Sequence, residues 1–360
     1  MVIKRLSLVN FRNYKNITID FEPITVFIGH NGIGKSNILE AITVLSYAKS
    51  YRLHREQNLI KFDEKYAQIS AILDDKKNIN FVITNTDRSL TKQVKIDKIN
   101  HKVSDLVGIF KTVIFSPESL LIITGSPSIR RKFLDICLSQ IDKKYLKSLL
   151  FVKKIVKQKN ELLKQINNNK ANKSELDFWN TNLAKHFEYI VKKRKKFINF
   201  LNNNIQEYYE SISDKKIDKI KIVYKTSFRD LSKICEQINS YIDWEVQAQK
   251  TLLGTHLDDI VISLNDRLAA ETGSRGEIRS IVFCLKLLEI EYLEQQLNQK
   301  YEILLLLDDI FSELDNIRRD KIISIIKDRQ TIITTTDQEF LDKNLKYIQF
   351  IDLEKYEKNR

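Results

Sequence analysis

Residues 29–36, Gly29-His30-Asn31-Gly32-Ile33-Gly34-Lys35-Ser36, spell G-x-x-x-x-G-K-S. Residues of these types at this spacing can hold a nucleotide phosphate. The glycines let backbone N–H groups turn inward around an anion, and a helix starting at the lysine adds the positive end of its dipole. Lys35 would reach the β- and γ-phosphates, and the Ser36 hydroxyl would coordinate Mg2+. The candidate binding run is Gly29 through Asn37, and its expected ligands are ATP and Mg2+. A second candidate lies far along the chain, where the apolar run 303–307 stops at Asp308 and Asp309. Asp308 would hold the metal ion, directly or through water, and Asp309 would orient or deprotonate an attacking water. Asp309, Asp308 and Lys35 are thus the candidate catalytic groups. A third candidate is Ser274-Arg275-Gly276, ahead of a helical pattern. Serine and glycine at a helix N-terminus make an anion site, with a plain N-cap as the alternative.

These residues need an α/β frame. Residues 24–28, Ile-Thr-Val-Phe-Ile, read as a buried strand entering the loop, and the amphipathic run 36–48 follows it. Other short Val/Ile/Phe-rich runs, at 3–9, 17–21, 67–73, 80–84, 93–96 and 112–115, also predict strands. Towards the C-terminus the pattern alternates: helix 279–299, strand 302–307, helix 315–328, strand 331–335. That alternation predicts a parallel sheet with crossover helices. Open α/β sheets bind ligands at the carboxyl ends of their strands, where both the glycine loop and the two acids would fall.

The 360 residues contain only 8 Gly and 3 Pro, and none of either between 128 and 253. Within that stretch the apolar spacing is near 3.6 residues, so it predicts long helices. It also holds 27 Lys and Arg against 14 Asp and Glu, which accounts for the whole net charge of +13. The chain therefore divides by composition into 1–127, 128–253 and 254–360. The asparagine runs 167–169 and 202–204 read as helix breaks or turns. Lys192-Lys193-Arg194-Lys195-Lys196, with Lys153, Lys154, Lys157 and Lys159, could contact nucleic-acid phosphates, or could be a solvated helical face. No apolar run approaches the ~18 residues of a membrane span, and charges stand where a signal peptide would need its apolar core.

The order of glycine loop, basic insertion, Ser274-x-Gly276, Leu304-Leu305-Leu306-Leu307-Asp308-Asp309 and Ser312-Glu313-Leu314-Asp315 is similar to the ABC-type ATPase heads of the SMC chromosome-maintenance proteins and their DNA-repair relatives. Within that class the chain resembles the RecF family. The resemblance rests further on Leu6-x-Leu8-x-Asn10-Phe11-Arg12-Asn13-Tyr14, on Gly125-Ser126-Pro127-x-x-Arg130-Arg131, and on Thr334-Thr335-Thr336-Asp337. Two segments depart from the family pattern. Gly254-Thr255-His256-Leu257-Asp258-Asp259 replaces G-P-H-R-D-D, and Glu277 replaces a glutamine. A carboxylate would repel a γ-phosphate, so Glu277 is expected to point elsewhere.

The resemblance implies an α/β P-loop ATPase head with a mixed sheet and an inserted, mainly helical lobe. It implies a head-to-head homodimer formed on ATP, with Ser274, Arg275 and Gly276 closing on a nucleotide, and a contact from Arg52, whose Ser50-Tyr51-Arg52 resembles the family's S-F-R. It implies binding to double-stranded and gapped DNA, partnership with RecR (with RecO in the same pathway), and loading of RecA onto single strands coated by single-strand binding protein. A weak DNA-dependent ATPase would act as the switch, in the cytoplasm and on the nucleoid, with no membrane role. Larger SMC-type or nuclease-associated ATPases and transporter ATPase subunits are the alternatives. The former need long heptad arms, which the insertion is too short to supply.

Overall fold

The structure, a computed structural model, describes residues 3–52, 56–86, 89–212, 219–297, 302–311, 315–336 and 348–359. Ser312, Glu313, Leu314 and Asp337 of the quoted motifs lie outside the described residues. The strands are β1 Ile3–Phe11, β2 Tyr14–Asp20, β3 Ile24–Ile28, β4 Tyr66–Leu73, β5 Asn78–Thr86, β6 Ser89–Ile96, β7 Ile99–His101, β8 Lys111–Phe115, β9 Ile220–Lys225, β10 Asp259–Leu264, β11 Arg267–Leu268, β12 Ile303–Asp308, β13 Thr331–Thr335 and β14 Ile348–Asp352. The α-helices among the described residues are α1 Lys35–Tyr47, α2 Leu121–Thr124, α3 Pro127–Ile141, α4 Lys143–Asn167, α5 Leu176–Glu210, α6 Ile234–Asn239, α7 Ile242–Ala248, α8 Ala269–Thr272, α9 Arg275–Leu297 and α10 Asn316–Ile326.

Contacts divide the chain into two compact units. The first comprises Met1–Ser119 and Glu289–Arg360, the second Leu120–Leu288. The first holds an antiparallel sheet ordered β2-β1-β4-β5-β6-β7 and a parallel sheet ordered β14-β3-β13-β12-β8. In the parallel sheet β12 is buried at every position and β13 likewise, the first as an apolar run ending in Asp308 and the second as β-branched Thr and Ile, as strands in a covered sheet should be. β3 pairs with β13 in register from Ile24 with Thr331 to Ile28 with Thr335, and β13 pairs with β12 up to Thr334 with Asp308. The ends of β3, β13 and β12 are thereby brought side by side.

The second unit is built on α3, α4 and α5 with the small antiparallel sheet β11-β10-β9. Composition alone places the insertion at 128–253, whereas contacts close the unit at 120 and 288. The difference has a local cause: β9, from the basic stretch, pairs along its whole length with β10, from Lys225 with Asp259 to Ile220 with Leu264. The first of the two asparagine runs does end a helix, with Asn169 at a φ of +57°. The second does not, because α5 continues through Asn202, Asn203 and Asn204. There Asn202 Oδ1 accepts from the Ile222 N–H at 2.8 Å and Gln206 Oε1 from the Ile220 N–H at 3.0 Å. Side chains one turn apart on α5 satisfy the edge of β9, and that tertiary bonding outweighs their helix propensity.

Candidate nucleotide site

The glycine loop leaves β3 at Gly29 and enters α1 at Lys35. Gly34 is the N-cap with a φ of +104°, a region that side-chain-bearing residues rarely occupy. A Cβ there would meet the Asn13 amide nitrogen at 2.6 Å and the Tyr14 hydroxyl at 2.8 Å, so the position demands glycine twice over. Asn13 fastens the loop: its amide donates to the Ile33 carbonyl at 3.1 Å and its oxygen accepts from Asn37 at 2.8 Å. His30 Nδ1 lies 2.9 Å from the Asn31 carbonyl oxygen. Lys35 is buried, and its ammonium donates to the carbonyl oxygens of Gly29 at 2.6 Å and His30 at 3.2 Å. Burial pushes its pKa down, and the negative charges of Asp309 and Asp308 draw it part of the way back. The loop lysine and the acidic strand end are thus electrically coupled, across 273 positions of sequence.

Asp308 ends β12 with its carboxylate buried. Thr334, the adjacent residue on β13, donates to Oδ1 at 2.8 Å, and the Tyr51 hydroxyl donates to Oδ2 at 2.7 Å. Burial pushes the Tyr51 phenol well up, so it stays protonated and remains a donor. Asp309 turns out of the strand with a φ of +51°, and its N–H donates to the Thr334 carbonyl at 3.1 Å and hydroxyl at 3.0 Å. A left-handed aspartate costs on the order of 1 kcal/mol, and such strain gathers at functional sites.

Arg52 donates to Asn37 Oδ1 at 2.9 Å and pairs with Glu40 at 3.7 Å. Glu40 is wholly buried in α1, where Arg12 binds both its oxygens, at 2.6 and 2.8 Å, and Ser50 donates to it at 2.5 Å. Sequence reading had singled out Arg52 but missed Tyr51, Glu40, Arg12 and Asn13 as site residues. Arg12, Asn13 and Tyr51 stood inside segments that resemble the family, with no role attached to them, and the signal for Glu40 was a glutamate at an apolar-stripe position of α1. The donor set fits Mg2+. Ser36 and Asp308 offer hard oxygens, and Mg2+ takes few protein ligands when phosphate oxygens complete its shell. Among the described residues there is no cluster of three acidic, His or Cys ligands that would suggest another metal.

Ser274, Arg275 and Gly276 lie in the second unit, at the start of α9. Glu277 Oε2 accepts from both the Ser274 N–H and its hydroxyl at 2.8 Å, while the Glu277 N–H donates to Ser274 Oγ at 3.3 Å. This is a capping box. Glu277 turns back on its own helix start, and Ser274 is engaged as an N-cap.

A sequence profile described as "RecF/RecN/SMC N terminal domain" matches residues 2–358. The DNA replication and repair protein RecF of Clostridium novyi is 36% identical over 356 residues, covering 96% of this chain and 97% of that protein. A solved structure of the recombination mediator protein RecF-ATP, in the RecFOR pathway, aligns with a TM-score of 0.85 at 32% identity, covering 94% of this chain and 92% of that one. The corresponding RecF-ATPrS structure aligns with a TM-score of 0.84 at 31% identity, covering 98% and 96%. The chain belongs to the RecF family. Its fold is the ATPase-head fold of that family.

Two RecF-like motifs turn out to bind each other within the second unit. Arg130 holds both carboxylate oxygens of Asp259, at 2.7 and 2.9 Å, and Arg131 donates to the Asp258 carbonyl at 2.7 Å. The basic run is also sorted. Arg194 is buried on Asp258 and Asp135, and Lys159 is buried against Glu245 at 2.6 Å. Lys192 pairs with Glu188 and Lys193 with Asp142. Arg194 and Lys159 are therefore removed from the possible phosphate contacts, whereas Lys153, Lys154, Lys157, Lys195 and Lys196 are exposed.

His256, of the variant RecF-like segment, packs against Phe187 with ring centroids 6.4 Å apart. Burial, with the cations Arg131, Lys159 and Arg194, pushes its pKa down to about 4 against a hydrogen bond to the Thr251 backbone. The unfolded chain therefore binds this proton more readily than the folded one. Stability should be full above pH 6.5 and fall as pH drops towards 4, by no more than about 3 kcal/mol from this group. Urea unfolding at pH 7 and pH 5 should show a smaller acid loss in His256→Gln than in the parent chain. An equal loss in both would mean that His256 is not responsible.

Proposed function

We propose that this chain is an ATP-controlled DNA-binding protein of replication and repair. The observation that carries the reading is the meeting, in one unit, of the loop lysine with the two acids at the end of β12. Lys35 and the N–H groups of the loop bind the β- and γ-phosphates of ATP, with Gly29, His30, Asn31, Gly32, Ile33, Gly34, Ser36 and Asn37 around them. Arg52, already on Asn37, steadies that end of the site. Ser36 and Asp308 hold Mg2+, which when bound neutralises charge developing on the phosphates. Asp309, turned out of the strand by its left-handed backbone, orients the attacking water or accepts its proton. Nothing in this chemistry requires a covalent intermediate: positioning and charge stabilisation suffice, and a slow hydrolysis serves to reset the protein.

The DNA reading draws on the relatives, named for replication and repair, and on the exposed lysines of the second unit. Phosphate contacts of that kind are independent of base sequence and sensitive to salt. Two copies then close on two nucleotides, with Ser274, Arg275 and Gly276 of one copy facing the nucleotide of the other. The bound state marks double-stranded DNA beside single-stranded gaps and works with RecR, and through the RecO pathway with RecA loading, in the cytoplasm. Among the described residues no helix is long and apolar enough to cross a membrane. Fluorescence anisotropy on a gapped duplex, with and without ATP·Mg2+, tests this. Binding should tighten with ATP and weaken as a power of salt concentration. Absence of binding in every nucleotide state would leave an ATPase whose partner is not DNA.

A further inference from the structure

Ser50, Tyr51 and Arg52, just beyond the end of α1, tie together parts of the site that lie far apart in sequence. Ser50 donates to Glu40 and Arg52 donates to Asn37, both on α1. Between them Tyr51 reaches to the end of β12 and donates to Asp308 Oδ2 at 2.7 Å. The other carboxylate oxygen is held by Thr334, so each oxygen of Asp308 carries one hydroxyl hydrogen bond, from opposite partners. A carboxylate with a single such bond can rotate about its last torsion, and one with both oxygens bonded is fixed in plane and in position. Each oxygen retains a second lone pair for a cation. The Tyr51 ring is itself held, with the Arg52 guanidinium carbon 5.7 Å from its centroid and its surface buried.

We infer that Tyr51 is a positioning residue for the metal: its hydroxyl sets Asp308 in the orientation that receives Mg2+, and its neighbours Ser50 and Arg52 tie that setting to the nucleotide-binding helix. This rests on the reading of the site as one for ATP·Mg2+. Hydrogen-bond partners of metal-binding carboxylates typically change metal affinity by about 10- to 100-fold when removed. Thr334 continues to hold one oxygen, so the lower end of that range is expected here.

The test is binding of the fluorescent analogue MANT-ATP, titrated with Mg2+ from an EDTA-treated start, in the parent chain, in Tyr51→Phe and in Tyr47→Phe. Tyr47 is the control, because its hydroxyl donates to the Thr112 carbonyl at 2.7 Å and makes a buried bond of another kind in the same region. Tyr51→Phe should raise the Mg2+ concentration at half-saturation about tenfold, and leave MANT-ATP affinity in EDTA unchanged. Tyr47→Phe should lower thermal stability without moving the Mg2+ midpoint. An unchanged midpoint in Tyr51→Phe, with or without a loss of stability, overturns the positioning role and leaves the nucleotide site intact. A parent chain that binds no MANT-ATP at any Mg2+ concentration overturns the site reading as well. Mn2+ electron paramagnetic resonance of the nucleotide complex gives a second readout. Its spectrum should broaden in Tyr51→Phe as the carboxylate loosens, and a spectrum identical to the parent's counts against the role.

Discussion

Arg194→Met should destabilise the second unit by about 3–5 kcal/mol, the range measured when one partner of a buried ion pair is removed. Arg194 is 2% exposed. Its guanidinium donates to Asp258 Oδ2 at 2.9 Å, Asp135 Oδ1 at 2.8 Å, the Tyr145 hydroxyl at 3.0 Å and the Thr255 carbonyl at 2.7 Å. Tyr224 donates to the same Asp258 oxygen. Burial raises the Asp258 pKa, and Arg194 is the largest influence holding it down. Without the arginine, Asp258 would be a buried carboxylate stripped of its ion-pair partner, with only the more distant charge of Arg131 near it. The variant Arg194→Met with Asp258→Asn should recover part of the loss, since the uncompensated charge is gone. Urea denaturation of the single and double variants checks both statements. A loss under 1 kcal/mol in Arg194→Met would show that the network is not holding the unit together.

Arg194 also illustrates what the sequence made legible. Read as one of five consecutive basic residues, it suggests a phosphate contact. Read by helical period, it falls in the stripe Phe187, Ile190, Val191, Arg194, Phe197, Ile198, Leu201, every other member of which is an apolar core residue. Lys159 repeats the pattern between Ile155 and Leu163. Periodicity, which reports burial, was the better guide than local charge. Its weakness is that it names no partner, and Asp258 and Glu245 lie 64 and 86 positions further on. Ser274 and Glu277 are similar. The spacing S-x-x-E is a capping signature in any sequence, and it accounts for the glutamate through helix geometry alone.

Four strands of the parallel sheet, β3, β8, β12 and β13, were legible because they are short runs rich in Val, Ile, Leu, Phe and Thr, whereas the edge strand β14, Ile-Gln-Phe-Ile-Asp, was missed because polar residues alternate through it. The loop Gly29–Ser36 was legible because its glycines are a large share of the few in the chain. Tyr51 on Asp308 was not, since a contact across 257 positions leaves no local pattern in either residue's neighbourhood. Strands β9, β10 and β11 were missed for a related reason. β9 is a lone amphipathic strand in a basic helical stretch, and only its pairing with β10 and the side chains of Asn202 and Gln206 make it a strand.

Lys35→Ala should raise the Kd for ATP·Mg2+ by about 30- to 3,000-fold. Truncating one member of a buried, hydrogen-bonded charge pair costs about 2–5 kcal/mol, and each 1.4 kcal/mol is tenfold. The lysine is buried on the Gly29 and His30 carbonyls, so its ammonium is already at the loop with little side-chain entropy left to lose on meeting a phosphate. Asp308 and Asp309 keep it charged against the effect of burial. The folded chain should lose less, because the two carbonyls accept from Lys35 without an ion pair and Asp308 retains the Tyr51 and Thr334 hydroxyls. Lys35→Arg separates charge from shape. It keeps the cation, but a planar fork replaces a compact ammonium between two carbonyls, so affinity should recover only in part. Isothermal titration with ATP and Mg2+ measures all three chains, and analytical ultracentrifugation with ATP asks whether self-association follows occupancy. Parent-like affinity in Lys35→Ala would place the nucleotide away from the glycine loop. Parent-like affinity with lost self-association would instead make Lys35 a reporter of the γ-phosphate to the second copy, because the loop would then bind nucleotide without signalling it.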